Sequence, residues 1–196
     1  MLTANPGLGV KTVGDFIALA KDKPEAMTLG ATAVGTTAYL ASQLFNQRAS
    51  LNLVIAPYPS SAQATSDLIT GRISAMFASV PNVLQLIEEG KLTALAVGQA
   101  RRSAMIPNVP TIDEAGLPGV DASIWIGLLA PAGTPPAIVA LLSKAVNEAL
   151  RSDEVLGQMR SQGMEPLGGT PDEFAARIKH DTARWDAITK SSGLQK

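Results

Sequence analysis

An α/β fold with a mostly parallel sheet covered by helices is what this sequence predicts, on three observations. Short apolar runs alternate with stretches of helical periodicity through the first half of the chain. Threonine, serine or proline opens the helical stretches, and glycine closes several of them. Successive apolar runs are joined through a helix and not through a tight turn, which is the order of β-α-β units and of parallel strands.

Taken in order, Thr12 and Asp15 have the spacing of a capping box, opening a helix whose apolar face is Val13, Phe16, Ile17 and Ala20. A strand is expected from Met27 to Ala31. A helix follows from Thr36, with Leu40, Ala41, Leu44 and Phe45 turned inward. Leu51 to Ala56 reads as a strand, Ser61 to Thr70 as a helix closed by Gly71, and Ile73 to Ala78 as a strand. Pro81 starts a helix that stops at Gly90, and Leu92 to Val97 is again a strand.

Beyond Gly98 the pattern changes. The polar, proline-containing stretch from Ala100 to Pro110 reads as a loop, and Thr111 with Glu114 caps one helical turn ended by Gly116. The apolar run Ile124 to Ala130 is expected to be a long strand with Trp125 in the core, a cleft wall being the alternative place for that ring. The final third is helical. One helix follows Thr134 with Ile138, Leu141, Leu142, Ala145, Val146 and Leu150 on one face, and a shorter one follows Ser152. A third follows Thr170, its stripe marked by Phe174, Ile178, Trp185 and Ile188.

Composition excludes several functions. The 196 residues are 46% hydrophobic and 17% charged, with sixteen basic and seventeen acidic side chains and no basic cluster larger than Arg101-Arg102, so nucleic acid is not an expected partner. The absence of cysteine removes disulfides, thiolate metal sites and a cysteine nucleophile. No apolar run reaches the roughly 20 residues of a membrane helix. Met1 to Gly7 lacks a basic segment followed by an apolar core, so no signal peptide is expected within the chain. The one histidine, His180, lies in a charged helical stretch and reads as solvated, and Glu88-Glu89 as a solvated helix end. No nucleophile elbow, metal-ligand spacing or cofactor motif is present, so the expectation is a protein that is not an enzyme, with no catalytic residue, no metal and no cofactor.

Binding residues are easier to nominate. The stretch from Gly30 to Leu40 runs from a strand through small residues into a helix, leaving main-chain N–H groups uncovered at a helix N-terminus that favours an anion. Its local alternative is an ordinary threonine-capped turn. In α/β proteins the loops at the carboxyl ends of strands bind ligands. Here those loops carry Thr32, Ala33, Gly35, Thr36 and Thr37, then Tyr58 with Ser60 and Ser61, then Ser79.

Several blocks together resemble one family. They are Asn5-Pro6, Val10-Lys11-Thr12, the 30–40 loop, Pro57-Tyr58, Lys91-Leu92, the 94–97 run, Pro107 to Gly116, Trp125 to Pro135, and Gly168 to Phe174. In them the chain is similar, over essentially its whole length, to the substrate-binding receptors of tripartite tricarboxylate transporters, the Bug-type extracytoplasmic solute receptors. The resemblance implies a type II periplasmic-binding-protein-like fold and a solute-binding protein that captures a small organic carboxylate for a membrane permease. It implies a periplasmic location for the intact receptor, and ligand contacts from Thr32, Ala33, Gly35, Thr36, Thr37 and Ser79, with Tyr58 lining the same cleft. It further implies that residues 1–124 are ligand-binding domain two, nearly complete. Residues 125–196 are then the return segment and C-terminal helices of an incomplete, mainly helical domain one, so that the chain is a truncated form. A truncated form of this kind is expected to self-associate as a homo-oligomer through its C-terminal helices, the alternative being that those helices repack on domain two within the same chain.

Three positions depart from the family pattern and bear on which carboxylate is taken. Tyr39 stands where histidine is usual, Pro59-Ser60 where Lys-Gly usually follows the tyrosine, and Ala78 where the residue before the serine is often acidic or an amide. Two other classes stay open at this point: a ligand-sensing regulatory domain of similar architecture, and an α/β enzyme.

Overall fold

The computed structural model describes residues 1–191, and they divide into two compact units. Unit 1 comprises Met1–Ile124 together with the chain from Ile188, and unit 2 is Trp125–Ala187.

Unit 1 is built on five strands, β1 (Leu2–Ala4), β2 (Thr28–Thr32), β3 (Val54–Tyr58), β4 (Ala75–Phe77) and β5 (Thr93–Ala96), in the order β3-β2-β4-β1-β5. Between them run α1 (Val13–Asp22), α2 (Thr37–Ala49), α3 (Ser61–Ile69) and α4 (Val80–Glu88). β2 is parallel to both β3 and β4, whereas β1 is antiparallel to β4 and β5. Four strands therefore point one way, and β1 alone is reversed. Three residues carry no readable periodicity, so β1 is invisible in the sequence, yet all of it is buried, between β4 and β5.

The helices form for the reasons their sequences suggest. Thr12 and Asp15 make the expected reciprocal capping box on α1. On α2, Leu40, Ala41, Leu44 and Phe45 are buried, and Phe45 joins Phe16 of α1 to Phe77 of β4 with ring centroids 6.0 and 6.2 Å apart. Gly30 lies within β2, and Ile73 occupies the space any larger side chain there would need, so this glycine serves packing. β3 begins later than hydropathy suggests. Ser50 adopts a left-handed conformation (φ 53°) that ends α2, Leu51 N–H closes onto Asn46 C=O at 2.8 Å, and Asn46 Nδ2 holds Leu53 C=O at 2.8 Å.

Beyond β5 the chain loops round and bridges the end of that strand in parallel, Val97 to Thr111. Val97 N–H bonds Pro110 C=O at 2.8 Å, Ile112 N–H bonds Val97 C=O at 2.9 Å, and Ala122 N–H bonds Gly98 C=O at 2.7 Å. Thr111 and Glu114 bond reciprocally as expected, at 2.9 and 3.0 Å.

Unit 2 contains α5 (Pro136–Ala149), α6 (Asp153–Ser161) and most of α7 (Pro171–Ser191). Asn147 of α5 clamps Gly169 in both directions, at 2.9 and 3.0 Å, just ahead of the Thr170–Glu173 capping box. Trp125 packs edge-on against Phe174 at 5.2 Å and donates its indole N–H to Asp181 Oδ2 at 2.6 Å. The stripe on α7 thus finds part of its cover within the chain.

One expected strand does not form. The run from Ile124 to Ala130 pairs with nothing among the described residues, and Ile124, Ile126, Leu128 and Leu129 are 72 to 84% exposed. Its composition is right for a strand, but a strand needs a neighbour to accept its main-chain groups, and none of the described residues supplies one. Trp125 is accordingly half-buried and not a core residue.

Two outcomes follow. Phe45→Ala removes the ring that bridges α1 and β4, and should lower unfolding free energy by about 3–5 kcal/mol in urea titrations. For Asp181, burial would raise the carboxyl pKa. Bonds from Trp125 and His180, with Arg184 and Arg177 nearby, outweigh burial and hold it below its ordinary value. A folded value below the unfolded one means stability present above roughly pH 4 and lost as pH falls through the folded value. Fluorescence-detected melts should show that acid-side loss, and Asp181→Asn should start less stable at neutral pH with a shallower acid slope.

Candidate functional site

Because β3, β2 and β4 are mutually parallel, their carboxyl ends share one edge of the sheet. Register makes this more specific. Thr32 pairs with Tyr58 and Gly30 with Met76, so two residues further on Ala78 stands level with Thr32. Tyr58, Thr32 and Ala78 form a row from which the N-termini of α3, α2 and α4 depart. The first N–H groups of each helix have no intrahelical acceptor.

The central loop is the most developed. Thr36 N–H closes a turn onto Ala33 C=O at 3.1 Å, with Gly35 at φ +84°, a conformation that only glycine adopts without strain. The hydroxyls of Thr32 and Thr36 are 2.9 Å apart and bonded, and Thr36 caps α2 by accepting Tyr39 N–H at 3.4 Å. Ala33, Val34 and Gly35 are exposed, Thr32, Thr36 and Thr37 half-buried. The Thr37 hydroxyl has no partner among the described residues.

Ser79 differs from the other caps. Ser60 accepts Gln63 N–H at 3.3 Å as a cap should, whereas Ser79 precedes α4 with no side-chain capping bond and is exposed. Pro81 follows in the first turn without an N–H. The Ser79 hydroxyl and the Val80 N–H are thus the groups that α4 presents to this edge.

Tyr58 is at the same edge by its main chain only. Its hydroxyl donates to Asp67 Oδ2 at 2.9 Å, in the last turn of α3, and Asp67 also meets Arg72 at 3.4 Å. Burial and the Asp67 bond push the phenol pKa up, so it stays protonated. Tyr39, in the first turn of α2, is half-buried with its hydroxyl 3.4 Å from Gln43 Nε2.

No charged side chain lies in residues 32–39, 57–63 or 78–82. The edge can therefore offer an anion only neutral donors: main-chain N–H groups, hydroxyls and the side-chain amides of Gln63 and Asn82. Among the described residues no three His, Cys, Asp or Glu side chains gather as metal ligands, and His180 is exposed beside Asp181 at 3.2 Å. Sequence reasoning anticipated the loops but not the β1 contact, in which Ala78 N–H bonds Met1 C=O at 2.8 Å and seats the third loop.

The fold is periplasmic-binding-protein-like. The chain belongs to the tripartite tricarboxylate transporter family receptors (TctC), whose family model matches residues 1–194. It is 35% identical over 195 residues to Protein BugT of Bordetella pertussis, covering 100% of this chain and 60% of that protein. Among solved structures it is similar to R. palustris Rpa4515 with adipate (TM-score 0.84, 34% identity, 98% of this chain and 64% of that one). It is also similar to MatC from Rhodopseudomonas palustris with bound malate (TM-score 0.77, 27% identity, 96% and 65%). The chain thus spans about 60% of the length of the relatives it matches.

Because Ser79 makes no cap bond, Ser79→Ala should leave the melting temperature unchanged. Thr36→Val, which removes a cap and the bond to Thr32, should cost about 0.5–2 kcal/mol in denaturant titrations.

Proposed function

We propose that this chain carries the carboxylate-binding lobe of a periplasmic solute receptor, and that it binds its ligand without chemistry. The observation that carries the reading is the convergence of three helix N-termini on one uncharged sheet edge. Main-chain N–H groups of the 33–37 loop other than Thr36, and that of Val80, with the hydroxyls of Thr37 and Ser79, would replace water around one carboxylate. Each such bond to an ionised group contributes about 1.5–3 kcal/mol. Thr32 and Thr36 hold the loop in shape, Ala33 and Gly35 let the ligand approach the main chain, and Tyr58 supports β3 through Asp67.

Adipate in one neighbour and malate in another support a small dicarboxylate as the ligand class. With no cation among the three loops, the second carboxylate would be met by groups outside them. In the whole receptor that role, and closure over the ligand, would fall to the other lobe, and the closed form would be offered to a membrane permease. Residues 1–124 are then domain two, and those that follow return to domain one.

Calorimetry and thermal shift with adipate, malate and citrate test the reading. At least one carboxylate should raise the melting temperature, and Ser79→Ala and Thr37→Val should each weaken its binding by about tenfold or more. Silence to every carboxylate, or binding indifferent to both variants, would refute it.

A further inference from the structure

We propose, on the reading above that a carboxylate is held at this edge, that the edge selects carboxylates carrying no ammonium group and rejects the matching α-amino acids. The edge is rich in donors and poor in acceptors. The N-termini of α2, α3 and α4 all bring their partial positive charge there, and the Ser79 side chain makes no capping bond. The main-chain carbonyls of the same loops are already occupied. Ala33 C=O accepts Thr36 N–H at 3.1 Å, and Thr36 C=O accepts Leu40 N–H at 2.9 Å. Ser60 C=O accepts Ala64 N–H at 3.3 Å, and Ser79 C=O accepts Asn82 N–H at 3.2 Å. Ala78 C=O accepts from the Met1 amino group at 2.6 Å. Burial lowers the pKa of that amino group to about 5, and any charge it kept would be positive, like the helix ends.

No acid offsets this imbalance. Residues 32–39, 57–63 and 78–82 contain no carboxylate. Asp67, the next acid along α3, is engaged by the Tyr58 hydroxyl at 2.9 Å and by Arg72 at 3.4 Å. Gln63 and Asn82 are exposed, and their amide oxygens are neutral acceptors of the kind water already supplies. In an α-amino acid the ammonium stands on the carbon next to the carboxylate. Holding that carboxylate at the edge therefore sets a positive charge and three N–H donors against groups of the same sign, with no counter-charge to replace their water. A hydroxyl or a hydrogen on the same carbon meets no such opposition. Discrimination then comes from repulsion of the wrong ligand as much as from attraction of the right one.

Calorimetry at neutral pH with two matched pairs tests this: malate against aspartate, and adipate against 2,5-diaminoadipate. In neither amino acid can a carboxylate be held with the ammonium groups far away. Each parent acid that binds should do so about tenfold or more tightly than its amino partner. Asn82→Asp places a carboxylate of nearly the same volume in the first turn of α4, where an acid suits the helix end, so the melting temperature should not fall. It should narrow the affinity ratio within each pair by about threefold or more. Equal affinity within the pairs, or a ratio unmoved by Asn82→Asp, would overturn the proposal and leave the carboxylate reading standing. Silence to malate and adipate would overturn the proposal, and silence to citrate as well would overturn both.

Discussion

The parallel ladder of β2 with β3 on one side and β4 on the other is the constraint on which the rest of the molecule depends. It fixes Thr32 beside Tyr58 and brings Ala78 level with them. Three helices must then begin at the same edge, because each parallel strand returns through a crossover helix. Burial holds the ladder in place. Leu29 and Ala31 of β2 and all of β4 are buried, and the Phe16–Phe45–Phe77 contact ties α1 and α2 to β4. A slip of one residue would turn those side chains to the wrong face and separate the three N-termini.

The chemistry of the edge follows from what it lacks. A lysine or arginine there would hold an anion by charge alone and tolerate poor geometry. Neutral N–H groups and hydroxyls act only where their directions converge, so their worth depends on the rigidity of the loop. Gly35 with its positive φ, the Thr32–Thr36 hydroxyl bond and the Thr36–Ala33 turn supply that rigidity. Thr36 is engaged in capping, whereas the Ser79 side chain makes no capping bond.

Much of this was legible in the sequence, wherever information was local. Periodicity located α1 to α7 and β2 to β5, because apolar residues recur there at the spacing of a regular element. Capping spacings at Thr12, Thr111 and Thr170 were recovered as bonds. What was not legible is tertiary. β1 is too short for a pattern and is defined by its partners alone. The start of β3 is displaced because Leu51 and Leu53 serve the end of α2 before the strand begins. The 124–130 run has the composition of a strand, but composition cannot say whether a neighbour is at hand. Tyr58 could be assigned to the edge by order along the chain, but not the direction of its hydroxyl, which Asp67 sets from a turn and a half further on.

In the proposed function a carboxylate is held at the carboxyl edge of β2. The most direct measurement is a titration of the isotope-labelled chain with adipate, followed by amide chemical shifts. The largest changes should fall on the N–H groups of Gly35, Thr37 and Val80, with α5 and α6 unmoved. Changes centred on α5 to α7, or no change at saturating adipate, malate and citrate, would contradict it.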